Sequence, residues 1–288
     1  MGAVVMTNAT AEGRGAWRRE DNTIVLHEAQ VPHEVPPPFA ILSESVFVEV
    51  PLEFDPHTHP LHELVWVRGG TMTVRLADSI VTVPDGHGLW IPAGTVHAGR
   101  TTARMVLFDA LFDPERSPVE FDRATTIRVT PVLASLLTHL ERKDLADEAR
   151  IRAEAVVFDV LAPSAQQLTL QVPQVERVGP IVSALVDDPT DERMLSEWAA
   201  LVGTSERTVA RLFRTHTGLS FQQWRQALRV HHALALLSEG LAVQEVSELM
   251  GYAQSSTFIA SFKRVMGTTP GAYPTRTTAM EAPAAADG

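Results

Sequence analysis

The chain has 288 residues, of which 45% are apolar and 20% charged, and its formal net charge is −11. That length suits about two domains, and the composition buries ordinary cores while carrying too few charges for a disordered chain. Cysteine is absent, which excludes disulfides, thiolate metal sites and cysteine nucleophiles, and no run approaches the ~18 apolar residues of a membrane span.

Met1 to Glu20 has one short apolar stretch, Ala3 to Met6, and no basic start followed by a signal-peptide core. A soluble cytoplasmic protein with an N-terminal arm over residues 1–43 is expected. Residues 44–129 read as β structure. Val46 to Val50, Leu64 to Arg68, Thr71 to Leu76, Ile80 to Val83, Leu89 to Ile91 and Met105 to Phe108 are short runs rich in β-branched and aromatic residues. Gly, Pro and Asp punctuate them, a spacing that suits a barrel or sandwich. Gly69-Gly70 reads as a hairpin turn, and Asp78-Ser79 and Pro84-Asp85-Gly86 as further turns.

The period changes over residues 130–162. Val132, Leu133, Leu136, Leu137 and Leu140 recur at helical spacing, as do Ala153, Val156, Val157, Val160 and Leu161. These predict two amphipathic helices joined around Lys143-Asp144. Their apolar faces suit either a cover for the β core or a dimer interface. Residues 163–174, with Pro163 and Pro173, read as a linker. Residues 175–275 read as all helix, and residues 276–288 as a small, polar, disordered tail.

Charge is uneven along these blocks. Residues 1–174 carry 14 basic and 23 acidic residues, whereas residues 204–276 carry 8 basic and 4 acidic ones. Local charge decides contact with phosphate, so the helical block remains a nucleic-acid candidate despite the acidic total.

That block holds a loose duplication, over about 194–216 and 243–266. Met194 to Gly203 is a short helix ending at glycine, after which Thr204-Ser205 caps a second helix running to His216. Leu241 to Gly251 again ends at glycine and precedes a helix from about Ser255 to Met266. A helix, a glycine-containing turn and a helix suit DNA binding. In the first unit Val209, Leu212 and Phe213 form the apolar face, and Arg207, Arg211 and Arg214 line the opposite one. Such a stripe is either a solvated basic face or a groove-reading one, since guanidinium pairs with guanine and with phosphate. In the second unit Phe258, Phe262 and Val265 face inward, with Ser256, Ala260 and Lys263 outward and Arg264 at the edge. The less charged outward face predicts more backbone contact there. Between the units, Phe221 to Leu237 forms a rod of ~26 Å with Trp224, Leu228, Leu234 and Leu237 for its core. It could set two recognition helices in successive major grooves, ~34 Å apart.

Trp198 to Phe213, Thr217-Gly218, Trp224-Arg225, Gly251-Tyr252, Phe258-Ile259 and Phe262 through Gly267-Thr-Thr-Pro270 resemble the AraC/XylS-type regulators. The resemblance covers about Val175 to Tyr273. It implies a regulator that binds double-stranded DNA through two helix-turn-helix motifs, acts as a homodimer and works with RNA polymerase. By position it gives base-reading roles to Arg207 and Arg211, and to Ser255, Ser256 and Ala260. Thr208, Arg214, Gln254, Lys263 and Arg264 complete the expected DNA-facing set. Ala260 is smaller than the large polar residues some relatives carry there.

His57-Thr-His59-Pro-Leu-His62-Glu63 before Gly70, and Gly86 through Pro92 and Gly94 to His97, resemble the paired motifs of cupin barrels. The resemblance implies His57, His59, Glu63 and His97 as ligands of one divalent metal, Zn, Fe, Mn or Ni. Strand alternation would bring His57 and His59 inward together. Pro51 and Thr101 replace the usual Gly and Asn, a change of turn shape rather than of ligands. A metal-free sensory barrel is the other reading, and His62 and His87 are expected outside the ligand set. The fold class expected is multidomain β plus α: a cupin-type barrel with two following helices, then an all-α domain with two helix-turn-helix motifs. The function expected is a non-enzymatic DNA-binding regulator that senses a small molecule or metal. The alternatives are a metal-dependent cupin dioxygenase or isomerase with an accessory helical domain, and a ligand-independent DNA-bridging protein.

Overall fold

A computed structural model describes residues 22–27, 32–165 and 168–273. The expected tail over residues 276–288, and residues 1–21 and 28–31 of the expected arm, lie outside the described residues. The barrel is built from β1 (Ile24–Leu26), β2 (Ile41–Val48), β3 (Leu52–His57), β4 (His62–Arg68), β5 (Thr71–Leu76), β6 (Ser79–Pro84), β7 (His87–Ile91), β8 (His97–Thr101), β9 (Met105–Phe112) and β10 (Thr125–Arg128). Helices α1 (Pro131–Leu140) and α2 (Asp147–Val160) follow, then β11 (Thr169–Gln171). One sheet has the order β1-β3-β8-β5-β6-β11 and the facing one β10-β7-β4-β9-β2.

Between the sheets lie Val65, Val67, Val74, Val81, Val83, Leu89, Ile91, Met105 and Leu107. On the outer face of the second sheet Leu64, Trp66, Trp90, Phe108, Ala110 and Phe112 meet Leu133, Leu137 and Leu140 of α1 and Val157 of α2. Strands β4 and β9 are therefore covered on both sides, which explains their nearly unbroken apolar runs. One buried carboxylate ties the helical pair to the barrel. Glu154 of α2 accepts from the backbone N–H of Ala40 at 2.9 Å and of Ile41 at 3.2 Å. Arg150, one turn earlier, donates to the carbonyls of Leu140 (3.0 Å) and Ile41 (2.7 Å). Val132 of α1 and Val156 of α2 are left 56% and 41% exposed, so the pair covers the core and still presents apolar surface.

Three expectations change. The arm contains β1 and the first residues of β2, so the barrel begins before residue 44; Ile24-Val-Leu26 is simply too short to carry a period of its own. Gly69-Gly70 joins no hairpin, because β4 and β5 belong to different sheets. Gly70 is needed there for space: a Cβ would stand 2.6 Å from Thr102 Oγ1 and 2.8 Å from Met105 Cβ. The expected linker contains β11, which pairs antiparallel with β6.

The helical domain comprises α3 (Gly179–Asp187), α4 (Leu195–Leu201), α5 (Glu206–Thr217), α6 (Phe221–Ser238), α7 (Val243–Leu249) and α8 (Ser255–Met266). Gly203 (φ 63°) and Gly251 (φ 73°) take the left-handed turns between the helices of each unit. Ser205 caps α5 by accepting from Thr208 N–H, and Ser220 with Gln223 forms a capping box on α6. Trp224, Ala227 and Leu228 of α6 join the core of the first unit, with Trp198, Val209 and Phe213. Val230, Ala233, Leu234 and Leu237 join the core of the second, with Val246, Phe258 and Phe262.

Helix α6 also lies against the outer face of β5 and β6. Its Trp224 Nε1 donates to the Gln171 carbonyl at 2.8 Å, and the His231 Nδ1 to Thr82 Oγ1 distance is 2.9 Å. Ile80 of β6 and Leu170 of β11 belong to the same apolar cluster as α3 and α5. Burial lowers His231 to about 4, so it is neutral in this seam at pH 7.

Replacing Glu154 by Ala leaves two buried N–H groups without their acceptor and Arg150 without its ion-pair partner. The expected loss is about 3 kcal/mol of unfolding free energy. Urea denaturation followed by tryptophan fluorescence measures it, and a loss under 1 kcal/mol would contradict this role.

Candidate functional site

The barrel motifs converge at one end of the space between the sheets. Strand β3 ends at His57 after a bulge between Phe54 and His57, and His57 pairs with His97, the first residue of β8. Glu63 is the second residue of β4. His59 comes from the turn after β3, not from the strand, so alternation along one strand is not what brings it in. One ligand atom each from His59, Glu63 and His97 lies within 4.8 Å of the others. His57 is outside that group. Its ring stands 4.2 Å from that of His97, and its Nδ1 donates to the Asp55 carbonyl at 2.8 Å.

Backbone carbonyls orient the two inner rings. His59 Nδ1 donates to Leu61 O at 2.7 Å and His97 Nδ1 to Thr95 O at 2.9 Å. A carbonyl only accepts, so those protons stay on Nδ1 and each Nε2 faces Glu63 Oε2, at 3.2 and 3.1 Å. In the neutral rings, two nitrogen lone pairs and a carboxylate oxygen would point at one spot. Backbone-fixed imidazoles with a carboxylate fit a divalent metal of the borderline class. With added protons, the same Nε2 atoms donate to Glu63 instead. Burial works to raise Glu63, but the hydrogen bonds and charges of His59 and His97 outweigh it and hold the group at about 2. Burial works to lower His97, and the hydrogen bond and charge of Glu63 raise it above the usual histidine value.

His62 and His87 lie outside the group. The ring of His62 rests 5.1 Å from that of Trp90 on the outer face, and its Nδ1 accepts from Ala93 N–H at 3.0 Å. The sequence reading missed Asp109. It follows Phe108 on β9 and faces the space between the sheets, where burial and the charges of Glu63 and Glu44 push it well above the usual carboxylate range. Its signal was a lone acid inside the eight-residue run Met105–Phe112.

In the helical domain, Arg207, Arg211 and Arg214 are exposed on α5, opposite the buried Val209 and Phe213. Thr208 is half-buried, its hydroxyl 3.0 Å from that of Ser205. On α8, Ser256, Ala260 and Lys263 are exposed, Ser255 is half-buried, and Gln254 is the exposed N-cap. Arg264 donates to Gln226 Oε1 of α6 at 2.6 Å, which braces α8 against the rod.

Strands β3 and β8 also carry charged side chains on their outer faces. On β8, His97 points inward while Arg100 points outward, 2.5 Å from Glu53 of β3. Glu53, Arg75 and Arg100 line a cleft of about 420 Å³ together with Asp187 at the end of α3.

Residues 198–276 match a family described as a helix-turn-helix domain, and residues 52–154 one described as an AraC-like ligand binding domain. The HTH-type transcriptional regulator NimR of Escherichia coli is 32% identical over 226 residues, covering 77% of this chain and 82% of that protein. The HTH-type transcriptional regulator RipA of Corynebacterium glutamicum is 29% identical over 202 residues, covering 65% and 61%. The HTH-type transcriptional activator RhaR of an Enterobacter species is 26% identical over 245 residues, covering 75% and 86%.

The triad makes metal-free stability depend on pH from both sides. Glu63, depressed to about 2, contributes above the unfolded value of 4.5, and that contribution is lost as pH falls toward 2. His97, raised above 6.5, contributes fully below 6.5 and ceases to as pH rises through its folded value. The stability difference between the metal-free wild type and Glu63→Gln is therefore expected to peak between about pH 4.5 and 6.5. Thermal unfolding of both proteins across pH 4 to 8 checks this, and a pH-independent difference contradicts it.

Proposed function

We propose how signal and DNA are joined in this chain, which belongs to the AraC-type helix-turn-helix transcriptional regulators. Its N-terminal domain is a ligand-binding cupin-like domain and its C-terminal domain binds DNA. In our reading α5 and α8 enter the major groove. Arg207 and Arg211 read bases, Arg214 and Thr208 hold phosphate, and Gln254, Ser255, Ser256, Ala260, Lys263 and Arg264 make a weaker, mainly backbone-directed contact. The observation that carries this is the stripe of three exposed guanidiniums on α5, backed by a buried apolar face and mounted on the same rod as α8.

The effector enters the barrel, where His59, Glu63 and His97 would hold a divalent metal, with His57 beside them. The metal would supply a Lewis-acid anchor for an oxygen or nitrogen of the effector. Effector contact biases β3 and β8, whose outer faces line one cleft with Arg75 of β5 and Asp187 of α3, and so the seating of the helical domain; a signal of this kind needs two states that the ligand distinguishes. The exposed apolar side chains of the helical pair, Val132 and Val156, form the homodimer surface. The assembly works in the cytoplasm with RNA polymerase as its partner on promoter DNA. No described helix is long and apolar enough to cross a membrane.

Arg207→Ala and Arg211→Ala are each expected to weaken specific DNA binding by ~1–3 kcal/mol. Gel shifts on a promoter fragment from the genomic neighbourhood test this, and wild-type affinity in both variants would defeat the assignment. Zn(II) titration by calorimetry tests the metal. Affinity is expected to rise from pH 6 to 8 as His97 sheds its proton, and to fall at least tenfold in His97→Ala. Equal heats in wild type and variant would remove the metal from this account.

A further inference from the structure

The barrel carries a second polar feature beside the histidine triad. Across β2, β9 and β4, Glu44, Asp109 and Val65 stand in register, and the next row on that face is Leu42, Leu111 and Glu63. Ile41 and Phe47 of β2 pack outward with α1 and α2, whereas Val48 packs between the sheets. Glu44 and Val46 therefore face the concave side with Asp109. Val46 is nonetheless 52% exposed and Glu44 is exposed, so among the described residues this face is open along β2.

The pair is poorly placed for stability. Two acids directly opposite one another on paired strands oppose each other's ionisation. The Oδ1 of Asp109 is buried and has no hydrogen-bond partner, in contrast with Glu154, which has two backbone donors. A buried acceptor left in that state costs free energy unless a donor arrives. The surroundings say which kind of donor fits. A bare Mg²⁺ or Ca²⁺ takes six or more oxygen ligands, whereas this row offers two carboxylates flanked by Val46, Val65, Leu107 and Leu111. A compact organic cation satisfies both the acids and the apolar flanks.

We infer that Asp109 and Glu44 form a recognition site for an ammonium- or amidinium-bearing small molecule with an apolar body. It enters along β2, donates to Asp109 and lies across Leu107 and Leu111 toward Glu63. The inference rests on the barrel being the sensing domain and names the chemical class of its effector.

The test uses the full chain and calorimetric titration with benzylamine and benzamidine, against benzyl alcohol and benzoate as neutral and anionic counterparts of similar shape. The cations are expected to bind at least tenfold tighter than benzyl alcohol, with no binding of benzoate. Asp109→Asn should weaken cation binding at least tenfold. Glu44→Gln, at an exposed position, should weaken it about threefold and stands in if Asp109→Asn does not fold. Equal binding of benzyl alcohol or benzoate, unchanged cation affinity in the folded variants, or no binding of any probe overturns the cation site. Those results leave the sensing role standing. It falls separately, if promoter affinity is indifferent to every metal and metabolite tried.

Discussion

Helix α6 is buried on three sides, and the rest of the architecture follows from that constraint. Its N-terminal half completes the core of the first helix-turn-helix unit and its C-terminal half the core of the second. A third face lies on the barrel, through His231 against Thr82 and Trp224 against the Gln171 carbonyl. Eleven of its eighteen residues are buried, among them two histidines. A helix with so little free surface cannot rotate without opening one of its contacts, so the spacing of α5 and α8 and their seating on the barrel are set together.

The same economy appears in the barrel. Strands β3 and β8 present the histidines to the interior and the Glu53–Arg100 pair to the side where α3 ends. In the proposed mechanism a change inside reaches the helical domain across the cleft that these strands line with Asp187. Interfaces of this kind have discrete packings, which turns a small displacement into a choice between arrangements. The buried histidines of α6 restrict that choice: burial holds both His231 and His232 below the usual value, and charging either one would be opposed by the lack of water.

The interior itself is divided into a packed and a polar part. Valine, leucine and methionine fill most of the space between the sheets, while His59, Glu63, His97 and Asp109 gather on one side of it. Of these acids, Glu63 is compensated by two imidazoles and Glu154, outside, by backbone donors and Arg150. Asp109 alone among these three carboxylates has a buried oxygen without a donor. This contrast is why it reads as a group for something else rather than as part of the scaffold.

Local signals were enough to establish much of this protein. Periods of two and 3.6 separated the β half from the helical half. Ser205 bounded the start of α5, and Gly218 and Gly267 the ends of α5 and α8, while the motif of His57, His59, Glu63 and His97 marked the polar end of the barrel. Such features depend on neighbours a few positions away. Tertiary structure decided what depends on distant partners: that Gly70 crosses between sheets, that Thr169 to Gln171 completes the edge of β6, and that His57 stands beside the cluster of His59, Glu63 and His97. It also decided that Asp109 faces Glu44. Thr82 meets His231 across 149 positions and Ala40 meets Glu154 across 114. No pattern within a strand or a helix encodes such pairings, because they are settled only when whole surfaces are buried against one another.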